Sequence, residues 1–221
     1  MSSQKALVIG LGSIGQRHAR VLKELGHNVA TVSRRGGGDY TTVADAITGT
    51  HPEYAVVATE TARAVLKLMD FEGASPRLWG MMWGAEDLAA SLGASRNRTD
   101  GRYHGPFLLA RDLCLISAAA AGVVAIDTIA TDIDDLVGLK AEAIAARHDG
   151  FLSKAVIHPK HVDVVNAAFM PTEEELAWSQ KVVKAFDDNP NSGVVKIDGK
   201  MIDKPHLRAA LKILALGAPK S

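Results

Sequence analysis

The chain lacks several features that mark common protein classes. Its 221 residues include one cysteine, Cys114, which excludes an internal disulfide and a metal site built from several cysteines. It has no excess of charge of one sign, because 25 basic and 25 acidic side chains balance, so nucleic acid is not expected as a partner. No run approaches the roughly 20 uninterrupted apolar residues of a membrane-spanning helix, so no membrane partner is expected.

The first residues also lack the pattern of a signal peptide. The apolar run at residues 6–14 is short, is interrupted by glycine and has no small-residue cleavage context. With a single cysteine, this absence leads us to expect a protein of the cytoplasm. Apolar residues make up 47 % of the chain, which is enough for a sizeable core, and the length allows one large or two small domains.

Short apolar runs alternate with helical patterns along the chain. Strands are predicted at residues 6–9, 29–32, 54–58, 78–83, 123–127 and 154–157. Helices are predicted at residues 13–25, 42–47, 61–71, 106–121, 132–147, 160–169, 172–187 and 205–216. A hairpin through Asp198-Gly199 is predicted at residues 194–202. Six strands alternating with helices predict an α/β fold with a parallel sheet, open or barrel-like.

A glycine-rich turn follows the first predicted strand. Gly10, Gly12 and Gly15 have the GxGxxG spacing of a dinucleotide site, in which the glycines permit a tight turn, close approach of a pyrophosphate and close helix packing. Arg34, after the second strand, stands where an acid would bind the ribose of NAD, and therefore favours the 2′-phosphate of NADP. The alternative is a tight strand–helix turn that binds nothing.

Two segments, IGLGSIGQRHAR at residues 9–20 and YAVVAT at residues 54–59, resemble the start of Gfo/Idh/MocA-type oxidoreductases. The resemblance covers about residues 4–62 and implies a Rossmann-like βαβαβ start. The Glu-Lys-Pro segment of that family, which carries a lysine near the nicotinamide, is not found in this sequence.

A second series of motifs covers about residues 57–221. It consists of TETARAVL at 59–66, GMMWGAEDLAA at 80–90, AIDT at 125–128, IHP at 157–159 and GKMIDKPH at 199–206. In this order the motifs resemble CitE-like (citrate lyase beta-subunit-like) proteins of the HpcH/HpaI aldolase superfamily. The resemblance implies a Mg²⁺-dependent barrel that makes or breaks a carbon–carbon bond next to a carboxylate, often on acyl-CoA substrates.

Two acids of these motifs, Glu60 and Asp87, each come shortly after a predicted strand. Functional groups collect at the carboxyl ends of parallel strands, and carboxylate oxygens suit a hard cation such as Mg²⁺. The metal would polarise a keto or carboxylate oxygen and stabilise an enolate. By resemblance Glu60 and Asp87 are the Mg²⁺ ligands. Glu86 is the nearby alternative, and is expected rather to be a structural acid or to support a ligand. The alternative is that Glu60 and Asp87 cap helices.

Three further residues match positions of the CitE-like motifs. Asp203 matches a catalytic acid that reaches into a neighbouring subunit's site in some relatives, and the alternative is a turn residue before Pro205. His158 would lie near CoA or be structural. Asp127 would support the site or cap a helix.

The two resemblances meet at residues 57–63, which predicts a chimera. Residues 1–58 would be a Rossmann-like start and residues 59–221 the second half of a (βα)₈ barrel with a C-terminal helical and hairpin extension, merged in one sheet of about six parallel strands. Weak or no turnover is expected, because the first half-barrel would supply an arginine that grips the substrate carboxylate.

The expected function is therefore that of a CitE-like, Mg²⁺-dependent carbon–carbon lyase or aldolase acting on a small acyl-CoA or keto-acid substrate. A half-barrel exposes sheet edges and apolar surface, so a homo-oligomer is expected. The alternatives are an NAD(P)-binding oxidoreductase-like module and a catalytically inactive fold chimera.

Overall fold

The computed structural model describes residues 5–9, 19–20, 23–24, 26, 28–32, 37–41, 43–50, 55–59 and 61–218. The strands are β1 (Lys5–Ile9), β2 (Asn28–Val32), β3 (Ala55–Thr59), β4 (Leu78–Trp83), β5 (Arg98–Thr99), β6 (Arg102–Tyr103), β7 (Val124–Asp127), β8 (Ser153–Lys154), β9 (Val194–Ile197) and β10 (Lys200–Asp203). The helices are α1 (Val43–Thr50), α2 (Ala62–Val65), α3 (Ala85–Leu92), α4 (Gly105–Ala120), α5 (Leu136–Asp149), α6 (Lys160–Phe169), α7 (Glu173–Asp187) and α8 (Lys204–Gly217).

The chain divides into two compact units. The first comprises residues 1–129 and 150–155, and the second comprises residues 130–149 and 156–221. None of the helices in the described part of the chain has the length and apolar character needed to cross a membrane.

The first unit contains the parallel strands. β3, β4, β7 and β8 form a four-stranded sheet in that order, and all three pairings are parallel. β1 and β2 form a separate parallel pair. The parallel α/β architecture is therefore confirmed. Over the described residues, however, the six parallel strands hydrogen-bond as two sheets, so the single merged sheet of the sequence analysis is corrected to a pair and a quartet.

The core of the first unit lies between β4 and α4. Met81 and Trp83 of β4 are fully buried, and Phe107, Ala110 and Cys114 line the buried face of α4. The three α4 positions recur at intervals of three and four residues, which is the spacing of one helix face. The single cysteine is thus a small apolar residue of the core.

The second unit has a core of its own around α7, α8 and the β9–β10 hairpin. Val182, Phe186, Ile197, Ile202 and Ala210 are buried together there. The predicted hairpin is confirmed, with Asp198 at φ 48° and Gly199 at φ 81°. Both angles are positive, as the Asp-Gly turn of a two-residue hairpin requires.

Three predicted elements differ from the observed ones for local reasons. The helix predicted at 61–71 is divided into α2 and a 3₁₀ turn at Leu68–Phe71, because Lys67 leaves the helical conformation at φ −116° and ψ 16°. The helix predicted from residue 132 begins at Leu136, because Asp132 Oδ1 accepts the backbone N–H groups of Asp134 and Asp135 in a turn. The last parallel strand ends at Lys154 rather than at residue 157.

Candidate carboxylate site at the sheet edge

The parallel register of β3 and β4 determines which residues share the carboxyl edge of the sheet. Thr59, the last residue of β3, pairs with Trp83, the last residue of β4. The segments that follow these two residues therefore leave the sheet at the same edge. Glu60 is the next residue after Thr59 and lies outside the described residues. Asp87 follows Trp83 by four positions and stands in the first turn of α3.

The two acids of the first turn of α3 differ in what they contact. Glu86 Oε1 accepts a hydrogen bond from Asn97 Nδ2 at 2.7 Å. Asp87 is exposed, and its carboxylate has no ion-pair or hydrogen-bond partner among the residues that the structure describes. Its oxygens are therefore free to coordinate a cation, and carboxylate oxygens are ligands that Mg²⁺ prefers.

Asp127 is the centre of a buried polar network at the end of β7. Its Oδ1 accepts a hydrogen bond from the indole Nε1–H of Trp83 at 2.7 Å. Its Oδ2 accepts one from Lys154 Nζ at 3.0 Å, and the Lys154 side chain is 0 % exposed. Arg111 Nε, on α4, is 3.4 Å from Oδ1. Asp127 thus joins β4, β7, β8 and α4 of the first unit, and a role in supporting a metal site stays a prediction.

Thr128, the residue after Asp127, makes a second hydrogen bond to the segment between β4 and α3. The hydroxyl of Thr128, which is buried, accepts the backbone N–H of Ala85 at 3.1 Å. Gly84 occupies the N-cap of α3 and has no side chain that can accept this group. The β4–α3 turn is therefore capped by the residue that follows β7 and not by a side chain of the turn itself.

Asp203 lies in the second unit, at the N-cap of α8. Its carboxylate is hydrogen-bonded to His206, which holds the pKa of the Asp203 carboxyl below its ordinary value. Within one chain Asp203 thus fills the local turn role before Pro205. Its part in a neighbouring subunit's site stays a prediction.

His158 and His161 begin the second part of the second unit. His158 Nδ1 accepts the backbone N–H of Lys160 at 3.2 Å, which is a structural contact. His161 is fully buried, and its Nε2 is 3.1 Å from the carbonyl oxygen of Ile133. Lys160 pairs with Asp134, and this ion pair lowers the pKa of the Asp134 carboxyl.

The four residues of the predicted dinucleotide site, Gly10, Gly12, Gly15 and Arg34, lie outside the described residues. Close to them in sequence, Asp39 Oδ2 accepts hydrogen bonds from Thr31 Oγ1 and from Thr31 N, both at 2.9 Å. These bonds lower the pKa of the Asp39 carboxyl, with the side-chain bond as the largest cause. Asp39, the first acid after β2 in the sequence, therefore has its carboxylate hydrogen-bonded to Thr31.

The sequence did not point to Lys154, Arg111 or Thr128 as members of this network. A lysine within a predicted strand was the one signal for such a network. Within the described residues, no three His, Cys, Asp or Glu side chains converge to form a metal site, and Glu60 is not in that set.

Comparison with known proteins identifies related chains. Residues 39–159 match the family described as HpcH/HpaI aldolase/citrate lyase. A citrate lyase subunit beta-like protein of Mycobacterium tuberculosis is 38 % identical over 164 residues, which are 74 % of this chain and 59 % of that protein. A (3S)-malyl-CoA thioesterase of Cereibacter sphaeroides is 35 % identical over 158 residues, which are 71 % of this chain and 54 % of that protein. The chain thus matches little more than half the length of these curated relatives.

A solved structure is similar over nearly the whole chain. It is the protein CitE of M. tuberculosis in complex with magnesium, acetoacetate and coenzyme A, with a TM-score of 0.72 and 32 % identity over 96 % of this chain and 77 % of that one. Coverage of 96 % extends well into the first 57 residues. The family match also begins at residue 39, before the predicted junction. The comparisons support the CitE-like resemblance. They give no support to the oxidoreductase resemblance or to a chimera.

Proposed function

Because this chain belongs to the HpcH/HpaI aldolase/citrate lyase family, we propose that it is a Mg²⁺-dependent carbon–carbon lyase that acts on an acyl-CoA or keto-acid substrate. The observation that carries the proposal is the register of β3 and β4 together with the exposed carboxylate of Asp87, which has no partner among the described residues. Solved CitE with magnesium, acetoacetate and coenzyme A supports this assignment of metal and substrate class.

In this proposal Glu60 and Asp87 hold Mg²⁺ at the carboxyl edge of the sheet. The bound metal would polarise a keto or carboxylate oxygen of the substrate. Glu86 accepts a hydrogen bond from Asn97, and in this proposal it does not coordinate the metal. Asp203 is the proposed catalytic acid that one subunit contributes to the site of another.

The first test compares thermal stability with and without ligands. A ligand that binds the folded state raises Tm, by about 5–10 °C for a chain of this size at a concentration about 100-fold above Kd. We expect such a rise with Mg²⁺ and a further rise with Mg²⁺ plus acetyl-CoA. NADPH, the ligand of the alternative function, is expected to give no rise.

Matched variants assign the effect to residues. Asp87→Ala and Glu60→Ala are expected to abolish the Mg²⁺-dependent rise, because each removes a carboxylate ligand. Glu86→Ala removes the adjacent acid of the same helical turn and is expected to retain the rise. No Mg²⁺ effect in the unsubstituted chain, or a rise with NADPH alone, would overturn the proposal.

A further inference from the structure

Two consecutive residues at the end of β7 hold the turn that carries Asp87. Asp127 accepts the indole N–H of Trp83, the last residue of β4, and Thr128 accepts the backbone N–H of Ala85, the first residue of α3. Both bonds are buried and join residues more than 40 positions apart in the chain. The chain between Trp83 and Ala85 is therefore held at both ends from the neighbouring strand.

The support for this turn is itself held rigidly. Lys154 donates to Asp127 Oδ2, and both side chains are almost wholly buried. Arg111, which also lies over the ring of Phe151, approaches Oδ1. A buried ion pair contributes little net stability, because removing both charges from water costs about as much as their attraction returns. The pair instead fixes the position of the Asp127 carboxylate.

The position of Ala85, which Thr128 holds, determines the position of Asp87. Ala85 and Asp87 are two residues apart in the first turn of α3, where the backbone conformation is fixed once the helix has started. Gly84 cannot start the helix with a side-chain hydrogen bond, so the hydroxyl of Thr128 supplies the missing acceptor.

We propose that Asp127 and Thr128 are positioning residues that orient Asp87 as a Mg²⁺ ligand through the β4–α3 turn. The inference rests on the proposed function and adds to it two residues that touch neither metal nor substrate. Groups that orient metal ligands in this way affect metal affinity about 10- to 100-fold when they are changed.

The test is calorimetric titration of the full chain with MgCl₂. Thr128→Val keeps the shape of the side chain and removes the acceptor, and is expected to raise the Kd for Mg²⁺ about 10- to 100-fold. Thr128→Ser restores the hydroxyl and is expected to restore the affinity. Thr128→Ala removes the same acceptor with a smaller side chain and serves if the valine variant does not fold.

A matched control separates positioning from general stability. Thr172 Oγ1 caps α7 in the second unit by accepting the backbone N–H of Glu175 at 3.2 Å. Thr172→Val therefore loses the same kind of hydrogen bond in the other unit, and is expected to lower Tm while leaving the Kd for Mg²⁺ unchanged.

The outcomes distinguish this inference from the function beneath it. Unchanged Mg²⁺ affinity in folded Thr128→Val and Thr128→Ala, with affinity lost in Asp87→Ala, would overturn the positioning role and leave the proposed function standing. Mg²⁺ affinity that is absent from the unsubstituted chain, or unaffected by Asp87→Ala, would overturn both. Equal losses in Thr128→Val and Thr172→Val would also overturn the positioning role.

Discussion

Glu175 is the residue at which charge and helix capping combine most clearly. Its Oε2 accepts the backbone N–H of Thr172 at 2.7 Å, and Arg147 Nη1 donates to both carboxylate oxygens at 3.0 and 2.9 Å. The N–H of Thr172 is the largest cause that lowers the pKa of the Glu175 carboxyl below the ordinary value of 4.5, and Arg147 also lowers it. We expect Glu175→Gln to reduce the free energy of unfolding by about 1 kcal/mol at pH 7, since the pair is partly exposed and screened.

The pH dependence of this loss has a defined sign. Because the pKa of Glu175 is lower in the folded state, its contribution is fully present above the unfolded value of 4.5 and is lost as pH falls through the folded value. Urea unfolding at pH 7 and near pH 3 should show the two chains converging in acid. Glu174→Gln, an exposed neighbour in the same helical turn, is the control. A loss at Glu175 that equals the control, or that is unchanged in acid, would contradict this account.

At the residue scale, the sequence alone could locate acids but not their partners. Asp87 and Glu86 are adjacent acids whose local pattern is the same, and the hydrogen bond of Glu86 with Asn97 is a difference that the pattern does not predict. Lys154 reaches Asp127 because β7 and β8 pair in parallel with these two residues opposite each other. That register depends on how two strands meet in space, which no local pattern encodes.

The pairing of β4 with β7 leaves little space for a side chain at Gly80. A Cβ built on Gly80 would lie 3.1 Å from the carbonyl oxygen of Val124 and 3.2 Å from Cδ1 of Ile126. Backbone oxygen cannot move away without disturbing the ladder that joins the two strands. We therefore expect Gly80→Ala to lower the free energy of unfolding by about 1–3 kcal/mol, measured by denaturant titration.

The control for this change is a glycine in open space. A Cβ on Gly105, the first residue of α4, meets no atom within 4 Å. Gly105→Ala should therefore be neutral or slightly stabilising, since alanine restricts the unfolded chain more than glycine does. If the two variants were equally stable, close packing of β4 against β7 would not be the reason for glycine at position 80.

At the element scale, most predicted segments agree with the observed ones where their patterns are local. The Thr172 capping box and the Asp198-Gly199 turn are read directly from the sequence because their partners lie within a few residues. α3 was missed as a helix, since its cap comes from Thr128 rather than from an adjacent side chain. The short β5–β6 pair was also missed, because two-residue strands give no periodic pattern.

At the scale of the whole molecule, each of the two units of the described chain buries apolar residues of its own, and one edge of the parallel sheet carries the candidate site. The family match and the CitE similarity both cross the predicted junction near residue 57. The GxGxxG motif led the sequence analysis to a second family because a strand–glycine–helix turn satisfies the same backbone geometry in many parallel folds. The boundary between residues 58 and 59 stays a prediction.

The expected homo-oligomer is supported by the outer face of α4. Leu108, Leu109 and Ile116 are 44, 59 and 61 % exposed, and Leu109 and Ile116 are separated by two helical turns. An exposed apolar face of this kind marks a contact surface more often than scattered single residues do. We expect light scattering to give a native mass of at least twice the 23.4 kDa of one chain.

Ile116→Lys tests whether this face makes the contact. It places a charge on this face and is expected to reduce the native mass. Val137 of α5, which is 83 % exposed in the second unit, provides the matched control, and Val137→Lys should leave the mass unchanged. A native mass of 23.4 kDa for the unsubstituted chain would contradict the oligomer. It would also remove the basis for Asp203 in a neighbouring subunit's site, because no neighbouring subunit would exist to receive that carboxylate.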